Sequence, residues 1–170
     1  MTEPVRIGLV GYGLGGRAFH APLIASAPEL ELVGVVTTSD DRRAQLAEDQ
    51  PGVPAVDSLR SLVDAGAEAV AISSTTGTHT ELTDEALSLG LHVVCDKPLA
   101  VEATAARESV ALAERLGLLL TAYQNRRWDS DFLTIKRLLA EQVLGAVFRF
   151  ESRFERWAPG APRAWWRAEL

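Results

Sequence analysis

The residues of this chain with the clearest chemical spacing are three glycines, Gly11, Gly13 and Gly16, in the stretch VRIGLVGYGLGGRAFHAPL at residues 5–23. They form a G-x-G-x-x-G between an apolar run that suits a strand and a segment able to be helical. That is the context in which the spacing binds a dinucleotide. Gly11 permits the tight turn, Gly13 lets a pyrophosphate approach the backbone, and Gly16 lets helix and strand pack closely. The first N–H groups of the helix lack intrahelical partners and lie at the positive end of its dipole, so they suit an anion. Tyr12, Leu14 and Gly15 share that backbone and complete the candidate cradle.

The choice between NAD and NADP turns on the end of the second strand. A site selective for NAD usually places Asp or Glu about 20 residues past the glycines, on the ribose 2′-OH. Here Thr37 stands 21 residues after Gly16, followed by Thr38 and Ser39. Neutral hydroxyls do not repel a 2′-phosphate, and Arg42 or Arg43, one helical turn on, can reach it with a charge-assisted hydrogen bond. The expected cofactor is NADP, with NAD the second choice.

The elements that must position these groups alternate regularly. Strands are expected at 31–36, 68–73, 91–95 and 118–122, and helices at 16–27, 40–49, 58–63, 78–89 and 101–116. Thr78 and Glu81 have capping-box spacing, and Gly90 suits the position just past a helix. Nearly continuous apolar strands alternating with helices imply an α/β fold with a parallel sheet covered on both faces. Right-handed crossovers make it doubly wound, with its ligand crevice beyond the carboxyl ends of the strands. The glycine turn, residues 37–39, 74–79, 96–98 and 123–127 all fall on that rim. Beyond residue 122 the pattern changes to a helix over 130–141 and an alternating segment, AVFRFESRF at 146–154, that reads as a half-solvated strand. Trp157, Trp165 and Trp166 follow, suited to packing between domains or subunits.

Composition narrows the function classes. The chain has 170 residues, 47% hydrophobic and 24% charged, with a net charge of −6. An acidic chain has no long-range attraction for nucleic acid or anionic lipid, and no apolar run approaches transmembrane length. One cysteine, Cys95, forms no intrachain disulfide, and with no signal peptide apparent the expected location is the cytoplasm. Cys95 ends an apolar strand and reads as an inert core thiol. The three histidines lack metal-ligand spacing, so no metal site is expected. His20 suits packing or bracing of the glycine turn, and His92 a structural role in its strand. His79 either lines the cofactor or hydrogen-bonds the loop backbone.

The segments GYGLGGRAFHAPLI, SSTTGTH, HVVCDKPLA and YQNRRWDSDFLT, with LGAVFRFESRF after them, together resemble the glucose–fructose oxidoreductase/inositol dehydrogenase (Gfo/Idh/MocA) family over essentially all 170 residues. The resemblance implies a Rossmann-type domain over 1–122, and over 123–170 the beginning of an incomplete α+β substrate and oligomerisation domain. It also implies NAD(P)-dependent hydride exchange with a sugar or polyol hydroxyl or carbonyl. The family's lysine beside nicotinamide and substrate corresponds to Lys97, the candidate catalytic residue, which leaves a strand at the rim and is followed by Pro98. An ammonium there can stabilise alkoxide character on the reacting oxygen. A cis Lys97–Pro98 bond is expected, since an X-Pro bond reaches cis cheaply. Asp96 stands where most members have glutamate. Ser74, Thr75, His79, Asp96, Lys97, Pro98, Asn125 and Arg126 join the glycines as candidate cofactor-binding residues.

The family's acid/base histidine belongs to the second domain and is expected beyond residue 170. These residues are therefore expected to bind cofactor without turnover, and to associate into a homo-oligomer through an uncovered sheet face and exposed tryptophans. The competing reading is a non-catalytic nucleotide-binding module, redox-sensing or regulatory, on the same fold.

Overall fold

The computed structural model describes residues 3–155, 157 and 159. The chain divides into two compact units, Met1–Asn125 and Arg126–Leu170.

In the first unit six parallel strands form one sheet: β1 (Val5–Val10), β2 (Leu30–Val36), β3 (Ala55–Val56), β4 (Ala69–Ile72), β5 (His92–Asp96) and β6 (Leu120–Tyr123). Their order is β3-β2-β1-β4-β5-β6. This is the doubly wound Rossmann order, in which the direction of winding reverses between β1 and β4 and opens a crevice at their carboxyl ends. The expected strands are present with ends shifted by one or two residues. β3 was not foreseen, because two residues carry no periodicity.

The sheet is apolar on both faces because alternate residues of each strand enter different cores. Val10, Val70, Ile72 and Val93 pack with Leu59, Leu62, Leu87 and Leu91 on one side. Leu9, Val35 and Ala71 pack with Tyr12, Ala21 and Leu46 on the other. Gly8 and Gly34 make room for Leu62: a Cβ at Gly8 would lie 2.5 Å from Leu62 Cδ1, and one at Gly34 would lie 3.0 Å from Cδ2.

The helices of this unit are α1 (Ala21–Ser26), α2 (Asp40–Asp49), α3 (Leu59–Asp64), α4 (His79–Ser88) and α5 (Ala103–Leu116). The helix expected at 16–27 does not start as an α-helix. It opens as a π-helical segment, Gly16–His20, with the Ala21 amide bonding the Gly16 carbonyl five residues back. Pro22 has no N–H to donate into an α-helical ladder, so the register changes beside it. Ser58 caps α3 by accepting the Ser61 amide at 3.2 Å, as its position implied. The capping box at Thr78 and Glu81 does not form. The Thr78 hydroxyl instead donates to the Thr75 carbonyl at 2.9 Å and meets Ser74 Oγ at 2.8 Å. Gly90 and Gly117 have φ of +86° and +66°, the left-handed geometry that closes α4 and α5.

In the second unit the expected helix is α6 (Ser130–Ala140). The strand expected at 146–154 is absent, and those residues are exposed without regular structure. A strand exists only against a hydrogen-bonding neighbour, and among the described residues none lies alongside it. Trp157 is exposed, whereas Trp165 and Trp166 lie outside the described residues.

Candidate functional site

The glycine turn joins β1 to the π-helical segment with little space to spare. Gly11 has φ +91° and donates its amide to the Val36 carbonyl at 2.9 Å. A Cβ on it would lie 2.5 Å from the Ser73 carbonyl oxygen, so only glycine fits. At Gly16 a Cβ would strike the Gly11 carbonyl, and at Gly15 it would strike Ser73 Oγ. Gly13 is different. A Cβ there would meet only the Arg42 guanidinium, 3.8 Å away, so the space above this peptide is open to a ligand's phosphate. That opening is the feature a dinucleotide pyrophosphate needs, and the turn fits one. Leu14 projects outward, 79% exposed.

The Tyr12 side chain turns inward. Its ring is buried in the core and its hydroxyl donates to Asp49 Oδ2 at 3.2 Å, while Arg17 grips the same carboxylate at 2.5 and 3.0 Å. Burial, with the Asp49 charge second, pushes the Tyr12 hydroxyl up to about 12. The Tyr12 side chain therefore braces the back of the turn.

At the end of β2, Thr37 is buried with its amide donating to the Val56 carbonyl at 3.2 Å, while Thr38 is exposed and Ser39 half-buried. The two arginines also part company. Arg43 is paired with Asp57 at 2.5 Å, whereas Arg42 is exposed, faces Gly13 and has no ion pair among the described residues.

The exits of β4 and β5 are tied together. Ser73 Oγ donates to Asp96 Oδ2 at 2.7 Å, and His20 Nε2 meets Asp96 Oδ1 at 2.9 Å. Burial alone raises the Asp96 pKa, but hydrogen bonds from His20 and Ser73 and the charges of His20 and His79 outweigh it and hold the carboxyl below its usual range. Tyr123, at the end of β6, lies against the His20 ring with centroids 4.4 Å apart. His79 is 1% exposed, with Nδ1 2.8 Å from the Pro98 carbonyl and Nε2 3.3 Å from the Ser74 carbonyl. It therefore braces the loop backbone through both ring nitrogens.

Lys97 stands between these braces on the rim, exposed and without a hydrogen bond or ion pair among the described residues. Its bond to Pro98 is cis, as expected. Thr75 is exposed and Asn125 half-buried on the remaining loops. Arg126 belongs to the second unit, where it pairs with Asp129 at 2.7 Å and lies 5.0 Å from the centre of the Phe154 ring. Cys95 is buried, and burial pushes its thiol up to about 11, in keeping with an inert core residue. His92 Nδ1 accepts the Leu119 amide at 3.0 Å, a structural role. Among the described residues there is no cluster able to hold a metal, and no helix is long and apolar enough to cross a membrane.

Residues 5–124 match the family model described as an oxidoreductase family with an NAD-binding Rossmann fold. The chain is 45% identical over 166 residues to the oxidoreductase YdgJ of Escherichia coli, covering 97% of this chain and 47% of that protein. It is 32% identical over 165 residues to scyllo-inositol 2-dehydrogenase (NADP(+)) IolW of Bacillus subtilis, covering 96% of this chain and 45% of that protein. A solved oxidoreductase structure from Yersinia pestis superposes with a TM-score of 0.91 at 42% identity, over 97% of this chain and 47% of the other. The chain thus spans about half the length of the relatives it matches.

Proposed function

Because this chain belongs to the Gfo/Idh/MocA family of oxidoreductases, with its NAD-binding Rossmann fold, we propose that it binds NADP(H) for hydride exchange with a sugar or polyol hydroxyl or carbonyl. The bound dinucleotide supplies the carbon that gives or takes the hydride. The backbone at Gly11–Gly16 holds the pyrophosphate, Thr38, Ser39 and Arg42 receive the 2′-phosphate, and Lys97 holds the reacting oxygen by its ammonium. The residues that hold cofactor are contained in these 170 residues, which bind NADP(H) but do not turn over sugar on their own.

One observation carries the reading most: an open glycine peptide at Gly13 faced by Arg42, on the same rim as Lys97, both cations exposed and without an ion pair among the described residues. Three features converging on the carboxyl ends of parallel strands suit an elongated anionic ligand. The NADP-dependent polyol activity in the name of the Bacillus subtilis relative supports the same choice of cofactor and substrate class. Calorimetric titration of the chain with NADPH and with NADH tests it. NADPH should bind more tightly, and tighter binding of NADH would overturn the choice of cofactor. Steady-state oxidation of a polyol by the 170 residues alone would show that the acid/base group lies within them.

A further inference from the structure

Lys97 is held from both sides by groups that never touch it. On its amino-terminal side, the Asp96 carboxylate is tied to Ser73 at 2.7 Å and to His20 at 2.9 Å. On its carboxyl-terminal side, the Pro98 carbonyl is tied to His79 Nδ1 at 2.8 Å. Both histidines are buried, at 5% and 1% exposure. Each partner is an acceptor, so each imidazole donates: His20 through Nε2 to a carboxylate, His79 through Nδ1 to a carbonyl. His20 belongs to the helical segment that follows the glycine turn, and His79 opens α4. The two elements that flank the crevice thus fasten the one loop that carries an unpaired ammonium.

We propose that His20 and His79 are positioning residues that clamp the loop on either side of Lys97, so that seating a dinucleotide on the glycine turn also fixes where the Lys97 ammonium stands. The inference rests on the cofactor reading above and goes beyond it in assigning the nicotinamide end of the site to a histidine pair. Buried hydrogen bonds between segments far apart in sequence leave few alternative positions for the residue between them. A lysine carries several freely rotating bonds, so fixing its backbone is what concentrates the ammonium near one place.

The test compares a whole dinucleotide with the same molecule lacking its nicotinamide: NADPH against 2′-phospho-ADP-ribose, and NADH against ADP-ribose. The ratio of dissociation constants within a pair reports the contribution of the nicotinamide end, whichever cofactor the chain prefers. In the unmodified chain the dinucleotide should bind about tenfold more tightly than its truncated partner, the effect of one charge-assisted hydrogen bond. His20→Leu and His79→Leu should bring the ratio to about one while leaving the truncated ligand within about threefold of its original affinity. His20→Gln and His79→Asn place an amide donor where the imidazole N–H was, and should restore the ratio. If a leucine variant does not fold, Ser73→Ala and Lys97→Met read the same quantity, and each should lower it.

Leucine variants that keep the ratio, or a ratio near one in the unmodified chain, would overturn the clamp. Amide variants that behave like the leucine ones would do the same. Failure of the unmodified chain to bind either dinucleotide would overturn the cofactor reading itself, and is recognised before any variant is made.

Discussion

Replacing Asp96 by alanine should cost this chain a substantial part of its stability, and the structure says how much. The carboxylate accepts from Ser73 at 2.7 Å and His20 at 2.9 Å, and both donors are buried. Each orphaned donor costs about 1–3 kcal/mol. The Asp96 side chain is 23% exposed, so water re-enters beside it and the low end applies. The sum is about 2 kcal/mol, against a total of about 5–15 kcal/mol for a domain. Urea denaturation followed by circular dichroism measures it.

A second arm uses pH. Asp96 has its pKa held below the ordinary 3.8, so the folded state binds its proton less readily than the unfolded chain does. The stability it confers is fully present above pH 3.8 and is lost as pH falls through the folded value. Asparagine does not titrate, so the gap between the unmodified chain and Asp96→Asn should shrink as the pH falls below about 4. An alanine variant within about 0.5 kcal/mol of the original, in the range of a neutral surface change, would refute the burial argument. A gap that does not change with acid would refute the assignment of the lowered pKa.

Three other changes probe different parts of the molecule. Arg42→Ala should weaken NADPH about tenfold and leave NADH unchanged, the loss of one exposed charge-assisted contact, and parallel titrations check it. Gly11→Ala should abolish dinucleotide binding and lower the urea midpoint sharply. The added Cβ meets the Ser73 carbonyl at 2.5 Å on a backbone with φ +91°, and the strain and clash together exceed about 3 kcal/mol. Leu62→Ala should cost about 4 kcal/mol, near the upper end for such a truncation, because its methyls fill space over two glycine backbones that have no side chain to collapse inward. Denaturation in urea reads that loss directly.

What could be read from the residues alone follows from the range of the interactions involved. The strands were legible because burial on both faces makes each an apolar run, and α2 was legible because its charged, alanine-containing segment ends before Pro51 and Gly52. The glycine turn was legible because its spacing lies within six residues, Gly11 to Gly16, although the group that excludes a Cβ at Gly11 and Gly15 is the distant Ser73. The alternating segment at 146–154 misled because alternation describes a potential to pair, and pairing needs a neighbour. The burial of Tyr12 and Thr37 was not legible for a related reason. Tyr12 lies two residues past β1 and Thr37 directly follows β2, and position at a strand end does not decide which way a side chain turns. The link from His20 to Asp96 spans 76 residues. No local pattern announces such a bond, although two histidines and a shortened carboxylate near one rim were its only trace.

The rim residues sort into two sets, and the sorting bears on function. Polar side chains withdrawn from water must pair with one another, and Ser73, His20, His79 and Asp96 do so. These hydrogen bonds shape the crevice. Lys97 and Arg42 are exposed cations without a partner among the described residues, one at the end of β5 and the other facing Gly13. In a chain of net charge −6, two such cations on one crevice give an anion a place where it is attracted. Neutralising both together should therefore lower dinucleotide affinity and flatten its dependence on salt, whereas removing Arg43, already paired with Asp57, should leave that dependence unchanged.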